Sequence, residues 1–413
     1  MADTVWCTEA PVNIDCTINM STNSTTWLSA KEAVKLLGVS RATLYAYVSR
    51  GRIRSEATAG KTRHRRYARD DIERLRARTA HRRNPEKAAE QVLHWGLPIL
   101  ESSITLLADG RVYYRGRDAA ELARTSTLAE VAALLWTGVP DRSLFENTPK
   151  PPSVKRNPHD LPFVARAESA LALTAARDPL AYDLRPHAVA RTGWRIVELL
   201  ATVAAGGPPD SNIAATLANA WGVPTAAPLL RAAMILCADH ELNVSTFAAR
   251  CVASAGASPY GVVIAGLAAL EGTKHGGTTG RIEALWDSLR RVDDLRGALA
   301  ERLRRGEPID GFGHTIYPAG DPRAALLLTM LPRSKQATFA HELSAATSAV
   351  LREAPNVDFA LVALAKTLGL PDGTALALFA IGRTVGWIGH AIEQYGHDAV
   401  IRPRAKYVGE MPA

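Results

Sequence analysis

Several side chains suited to acid–base and anion chemistry stand in contexts that a packing residue does not need. His275 lies in EGTKHGG, His314 in GFGHTIYPAGDPR, which ends at Arg323, and His240 in ADHELNVSTF. Asp358 follows Pro355-Asn356-Val357. A glycine beside a histidine lets the backbone approach a bound molecule closely. Arg383 interrupts the apolar run LFAIGRTVGW from Leu378 to Trp387. A buried guanidinium needs an anion or a carboxylate partner, and Glu393 is the internal candidate. Arg402 and Arg404 flank a proline further on. Arginines and histidines together can hold a small dicarboxylate through paired, charge-assisted hydrogen bonds. Taken singly, each histidine also fits a structural or merely exposed role.

These residues must be positioned by helices. Apolar residues recur at helical spacing in Leu122 through Leu135, Ala188 through Val203, Leu229 through Cys237 and Phe359 through Leu368. Alternating strand patterns are scarce. The exception runs Ser103-Ile104-Thr105-Leu106-Leu107, then Asp109-Gly110, then Arg111-Val112-Tyr113-Tyr114, and Asp-Gly between two such runs predicts a hairpin. The fold class is mainly all-α. The chain has 413 residues, 47% hydrophobic and 22% charged, enough for two or three ordinary domains and incompatible with disorder throughout. The cysteines, Cys7, Cys16, Cys237 and Cys251, are too scattered for a disulfide framework, and there is no CxxC pair. Neither these nor the histidines form a metal-ligand pattern, so no metal and no cofactor are expected. The first 26 residues lack Lys and Arg and do not read as a signal peptide. No run approaches the roughly 20 uninterrupted apolar residues of a membrane helix. A cytoplasmic protein without a membrane partner is the expectation.

The net charge of +8 is unevenly spread. Residues 27–90 carry +10, residues 1–26 carry −3, and residues 91–413 carry +1. A basic block beside a neutral body suggests a nucleic-acid-binding module. Within it, SAKEAVKLLG predicts a helix capped by Ser29 with Glu32 completing a capping box and Gly38 ending it. SRATLYAYVS, from Ser40 to Ser49, predicts a second helix with Leu44 and Val48 inward and Arg41, Thr43, Tyr45 and Tyr47 elsewhere. Arg52-Ile53-Arg54, a polar stretch with Gly60, and KTRHRRY from Lys61 to Tyr67 predict a two-stranded basic wing. Asp70 or Asp71 then caps a third helix, Ile72 through Arg78.

This block resembles the MerR and excisionase-like winged helix-turn-helix domains over residues 27–80, on LSAKEAVKLLGVSRATLYAYVSRGRI and RHRRYARDDIERL. The resemblance implies that Arg41, Thr43 and Tyr45 face bases and that Arg63, Arg65 and Arg66 meet phosphates. A solvated basic module used for packing or protein contacts is the other reading. From about residue 95 to 413 the chain is similar to citrate synthase. The resemblance rests on GLPILESSITLLADGRVYYRGRDAAELA, ADHELNVSTFAAR, HGG, GFGHTIYPAGDPRA, PNVDF, LFAIGRTVGWIGHAIEQ and IRPRAKYVG, in that order. Its departures are a Pro/Ala-rich region at about 140–230, whose LRPHAVART only echoes the family, and HGGTTG, which lacks an asparagine common there.

The resemblance implies a two-domain helical homodimer that condenses acetyl-CoA with oxaloacetate, the entry to the tricarboxylic acid cycle, and then hydrolyses the citryl thioester. It implies Asp358 as the base at the acetyl-CoA methyl, His275 as hydrogen-bond donor to the thioester oxygen, and His314 as donor to the oxaloacetate carbonyl. His240, Arg323 and Arg383 hold carboxylates, Phe379 packs in the pocket, and Arg402 enters from the neighbouring subunit. The expected layout is a tail over 1–26, a helix-turn-helix domain over 27–83 and a synthase-like domain over 92–413. Its small-domain portion, about 275–385, is inserted in the large domain. Two other functions stay open: 2-methylcitrate synthesis from propionyl-CoA, and DNA-binding regulation with the synthase-like body as metabolite sensor. His64 is expected at phosphate or water, and His390 and His397 as surface or packing residues on or after the last helix.

Overall fold

Ser29 and Gly38 punctuate the chain as their types require. In the computed structural model, which describes residues 27–49, 52–57, 65–69, 71–72, 100–146, 148, 161–207, 212–405 and 407–412, strand β1 (Trp27–Ser29) leads into helix α1 (Ala30–Leu37). The Ser29 hydroxyl accepts from Glu32 N at 3.3 Å, while Glu32 accepts from Ser29 N at 2.8 Å. Gly38 closes the helix at φ 64°, a conformation a side chain resists. Helix α2 (Arg41–Ser49) follows, with Ser40 Oγ accepting from Thr43 N. Strands β2 (Ser55–Ala57) and β3 (Arg65–Ala68) pair antiparallel, as a wing should. β1 adds to the other side of β3, a third strand the sequence pattern did not suggest. Ala33, Leu37, Leu44, Ile53, Tyr67 and Ile72 form the core of this module, and Tyr47, expected to point away, packs against it with Val48.

Of the two capping candidates, Asp70 lies outside the described residues and Asp71 pairs with Arg54. Both its oxygens are taken by Arg54, from the backbone N at 2.8 Å, Nε at 2.9 Å and Nη2 at 3.1 Å. Most of the expected third helix lies outside the described residues, as do the 1–26 tail, Arg63, His64 and the 80–92 boundary.

The chain divides into two units, Met1–Glu101 and Ser102–Ala413. The second opens on the expected hairpin, β4 (Thr105–Ala108) and β5 (Arg111–Tyr114). Asp109 and Gly110 take φ of 52° and 69°, the paired left-handed turn that matches strand twist. A short β6 (Arg117–Asp118) pairs with β5. The Leu122–Leu135 pattern is two helices, α3 (Ala119–Thr125) and α4 (Leu128–Thr137), because Thr127 and Glu130 form a capping box that starts a new one. Then come α5 (Phe163–Ala175), α6 (Pro186–Ala205), α7 (Ile213–Ala220), α8 (Ala227–Leu236), α9 (Val244–Ser254) and α10 (Pro259–Leu270). They are followed by α11 (Thr278–Leu289), α12 (Leu295–Arg304), α13 (Pro322–Met330), α14 (Lys335–Leu351), α15 (Val357–Thr367) and α16 (Thr374–Tyr395).

Helix α16 is the axis of this unit and packs against α4, α6, α8, α9, α10 and α15. Its length and apolar composition would suffice to cross a membrane, but it is buried in the core. Two glycines let it come close to the α8 end: a Cβ on Gly382 would lie 2.3 Å from Met234 O, and one on Gly386 2.3 Å from Ala238 O. That contact brings Arg383 beside the segment that carries His240.

Candidate active site

His275 is held from two sides. The turn from α10 into α11 is so tight that a Cβ on Gly277 would sit 2.2 Å from Glu271 O. This glycine of the HGG run therefore serves the chain's own backbone, not the approach of a ligand that the sequence suggested. His275 Nε2 lies 2.9 Å from Ser245 Oγ, on the first turn of α9. Ser245 Oγ also accepts from Trp387 Nε1 at 3.3 Å and lies 2.8 Å from Asn243 Oδ1. The hydroxyl has one proton and two acceptors in reach. It donates to Asn243 Oδ1; turned to His275 Nε2 instead, it leaves the imidazole proton on Nδ1, free to donate outward. Burial, then the charge of Arg383, lowers His275 to about 4, so the ring is neutral at ordinary pH. The edge of the Phe379 ring completes the wall, with centroids 5.9 Å apart.

His314 and Asp358 come from segments 44 residues apart that are stitched together. Gly313 N donates to Ala354 O and Asn356 N to Gly311 O, both at 2.9 Å, around a Phe312–Pro355 bridge. His314 Nδ1 accepts from Ile316 N at 3.2 Å. Its proton is therefore on Nε2, which leaves a neutral donor. Burial, then Arg323, keeps its pKa below the usual range. Asn356 caps α15, and Asp358 sits in that helix's first turn. Asp358 Oδ1 is buried without a hydrogen-bond partner. Burial raises its pKa to about 7, with Arg323 and Arg383 opposing. Such a carboxylate is a base of useful strength near neutral pH.

The cations differ in how far they are already matched. Arg323 is buried and paired with Asp321 through Nε (2.9 Å) and Nη2 (2.8 Å). Asp321 also accepts from Val357 N at 3.0 Å, which ties α13 to α15. Arg383 donates from Nε to Cys237 O at 2.8 Å, and its Cζ lies 4.8 Å over Phe379. Its Nη1 is buried with no partner. Glu393, the internal partner the sequence offered, instead pairs with Arg250 at 3.3 Å and accepts from Ser103 N and Oγ. Arg383 therefore keeps an unspent charge. His240 is buried 5.3 Å from the His314 ring, with Nε2 2.8 Å from Tyr317 Oη. Burial and the nearby Arg323 and Arg383 hold its pKa well below the usual value.

Thus His240, His314 and Arg323 gather around Tyr317, while His275, Phe379 and Arg383 line a second wall. Arg402 does not join them: it is exposed, on the segment after α16. His390, expected at the surface or in simple packing, is buried between Asp239 (3.3 Å) and Arg250 (3.5 Å), because α16 is central and not peripheral. His397 is exposed. In the basic module, Arg41 and Arg65 are exposed and Tyr45 is 52% exposed. The Thr43 hydroxyl is bonded to Ser40 at 2.9 Å, and Arg66 pairs with Glu56 at 2.7 Å.

Residues 92–404 match the family profile "Citrate synthase, C-terminal domain". The chain belongs to the citrate synthase family. Residues 27–80 match a helix-turn-helix domain profile, so the chain joins that domain to a citrate synthase body. Citrate synthase 2 of Bacillus subtilis is 28% identical over 354 residues, 76% of this chain and 94% of that protein. The crystal structure of citrate synthase from Thermotoga maritima superposes with a TM-score of 0.65 at 28% identity, over 77% of this chain and 95% of that one. A ternary complex of carboxymethyl coenzyme A and oxaloacetate with citrate synthase from Thermoplasma acidophilum shares the fold, with a TM-score of 0.68 at 24% identity, over 78% of this chain and 97% of that one. The body is a citrate synthase-type acyl-CoA condensing enzyme. Sequence reasoning missed Ser245, Tyr317, Asp321 and Trp387. The signal available was their position inside the motifs that carry His240, His314 and Arg383.

Proposed function

We propose that the chain condenses acetyl-CoA with oxaloacetate to give citrate and CoA. The observation that carries this is Asp358, whose Oδ1 is buried without a hydrogen-bond partner and whose pKa is raised to about 7, in one site with two neutral histidines and an unspent arginine. An α-proton of a thioester is too weakly acidic for a carboxylate alone, so an electrophile on the oxygen must share the work. Asp358 takes the methyl proton while His275, which carries its proton on Nδ1 once the Ser245 hydroxyl turns from Asn243 to Nε2, donates to the thioester oxygen. The enol carbon attacks the oxaloacetate carbonyl, whose oxygen receives the His314 Nε2 proton. Arg383 and Arg323, with His240, hold the carboxylates. Water then cleaves the citryl thioester to citrate and CoA.

Arg402 supports a homodimeric reading. It is exposed on its own chain and takes its place when a second copy supplies it across the interface. The helix-turn-helix domain supports DNA binding by Arg41, Tyr45 and Arg65, with Arg63 and Arg66 as further phosphate contacts and Thr43 limited by its bond to Ser40.

The test is CoA release from acetyl-CoA with oxaloacetate, with propionyl-CoA in parallel and Asp358→Ala as control. Oxaloacetate-dependent release lost in the variant supports condensation. Faster release from propionyl-CoA would move the reading to 2-methylcitrate synthesis, since one methylene is worth only about 1–3 kcal/mol. No release from a folded protein would leave a ligand-sensing DNA-binding protein as the account.

A further inference from the structure

Tyr317 is buried where the His314 and His240 segments meet. Its hydroxyl lies 2.8 Å from His240 Nε2. Its ring lies 4.8 Å from the His314 ring, and the Arg323 Cζ sits 5.7 Å over it. None of the roles assigned above uses it. The packing of its ring on His314 and Arg323 needs only a phenyl group. The hydroxyl therefore calls for a separate reason, because a buried hydroxyl is retained only with a partner.

Its contact with His240 supplies that reason. The ring is neutral, since burial and two nearby guanidinium groups oppose its charge. A neutral imidazole has one N–H. Nε2 is paired with the Tyr317 hydroxyl at 2.8 Å, whichever of the two donates. The Tyr317 hydroxyl therefore fixes the rotation of the His240 ring.

We propose that Tyr317 is a positioning residue for oxaloacetate, acting through His240: its hydroxyl fixes the imidazole at that carboxylate-binding corner. The pair also links the loop between Gly311 and Gly320 to the turn between Ala238 and Asn243, so the His314 and His240 segments take up one mutual placement. Acetyl-CoA is handled by His275 and Asp358, which Tyr317 does not touch.

This inference rests on the condensation reading, and the experiment separates the two. Initial rates are measured for wild type, Tyr317→Phe, His240→Ala and the double variant, with both substrates varied and oxaloacetate binding followed by calorimetry. Tyr317→Phe keeps the ring, and melting curves check the fold. Losing a hydrogen bond to a buried partner predicts a rise of roughly tenfold in KM for oxaloacetate. The KM for acetyl-CoA stays the same and kcat changes less than about threefold. Adding Tyr317→Phe to His240→Ala changes oxaloacetate affinity less than about twofold, because the partner is already gone. An unchanged KM for oxaloacetate, or a full tenfold effect in the His240→Ala background, overturns the proposal while leaving condensation standing. Wild type that neither turns over nor binds oxaloacetate overturns both.

Discussion

Replacing Asp358 by asparagine should abolish turnover and stabilise the fold, more so as the pH rises. An ordinary aspartate has a pKa of 3.8, and burial lifts Asp358 to about 7. The folded state therefore holds a proton that the unfolded chain releases between those values, and stability falls as pH rises through that window. At 1.36 kcal/mol per unit, the ionised carboxylate costs about 4 kcal/mol at pH 8, about 2 at pH 5 and less than about 1 at pH 4. Asparagine keeps the shape without the charge, so it removes this penalty. The variant-minus-wild-type difference in unfolding free energy should grow by about 2–3 kcal/mol from pH 5 to pH 8. Denaturant titrations at the two pH values measure it, and CoA release is read on the same samples. The acid limb of wild-type kcat/KM should fall near pH 7, because the base must be ionised, while His275, at about 4, stays neutral across that range. A pH-independent difference would refute the claim that burial sets the carboxylate's pKa. Retained turnover would refute its role as base.

Ser245→Ala should lower kcat by roughly 10–100-fold with little change in KM for oxaloacetate, because His275 loses the hydroxyl that holds its Nε2 and orients the ring. Exchange of the acetyl-CoA methyl protons with solvent deuterium, which should slow in parallel, checks it. Arg402→Ala and His275→Ala should each be inactive, yet mixing and reassembling equal amounts should recover about a quarter of wild-type activity, since half the dimers then carry one complete site. No recovery would place Arg402 outside the partner's site. In DNA titrations at several salt concentrations, Arg65→Ala should reduce the slope of log K against log salt by about 1, whereas Arg41→Ala should also flatten discrimination between sequences.

Much of this architecture was legible because it depends on local rules. The Ser29–Glu32 box, Gly38, the Asp109-Gly110 turn and the helical spacings each need only a few neighbouring residues. The helix boundary at Thr127 could have been read from its capping box but was masked by an unbroken apolar rhythm. The motif histidines and Asp358 could be singled out by type and context. Their partners could not: whether Glu393 answers Arg383 or Arg250 depends on the rotation of α16, which is set by the close approach of Gly382 and Gly386 to the α8 end. For the same reason His390 looked peripheral while lying on a central helix. Tyr317 and Ser245 act through residues far away in sequence, and no spacing rule links 317 to 240 or 245 to 275.

The same partner count orders the binding of the two substrates. Arg323 is already matched by Asp321, whereas Arg383 Nη1 is buried without a partner on the chain. An unpaired buried donor costs roughly 1–3 kcal/mol, and a dicarboxylate relieves it while acetyl-CoA, whose reacting end is uncharged, does not. Oxaloacetate alone should therefore bind and stabilise the body, by about 2.7 kcal/mol at a hundredfold excess over its Kd. Acetyl-CoA alone should do much less. In Arg383→Leu the stabilisation by oxaloacetate at the same concentration should fall to between about 1.4 and about 0.4 kcal/mol, because the affinity drops by roughly 10–100-fold. Thermal melts of both proteins with each ligand decide the matter. An equal upward shift with oxaloacetate in wild type and variant would mean that the anion is held by Arg323 despite its carboxylate partner, and that the unspent charge of Arg383 answers to something else.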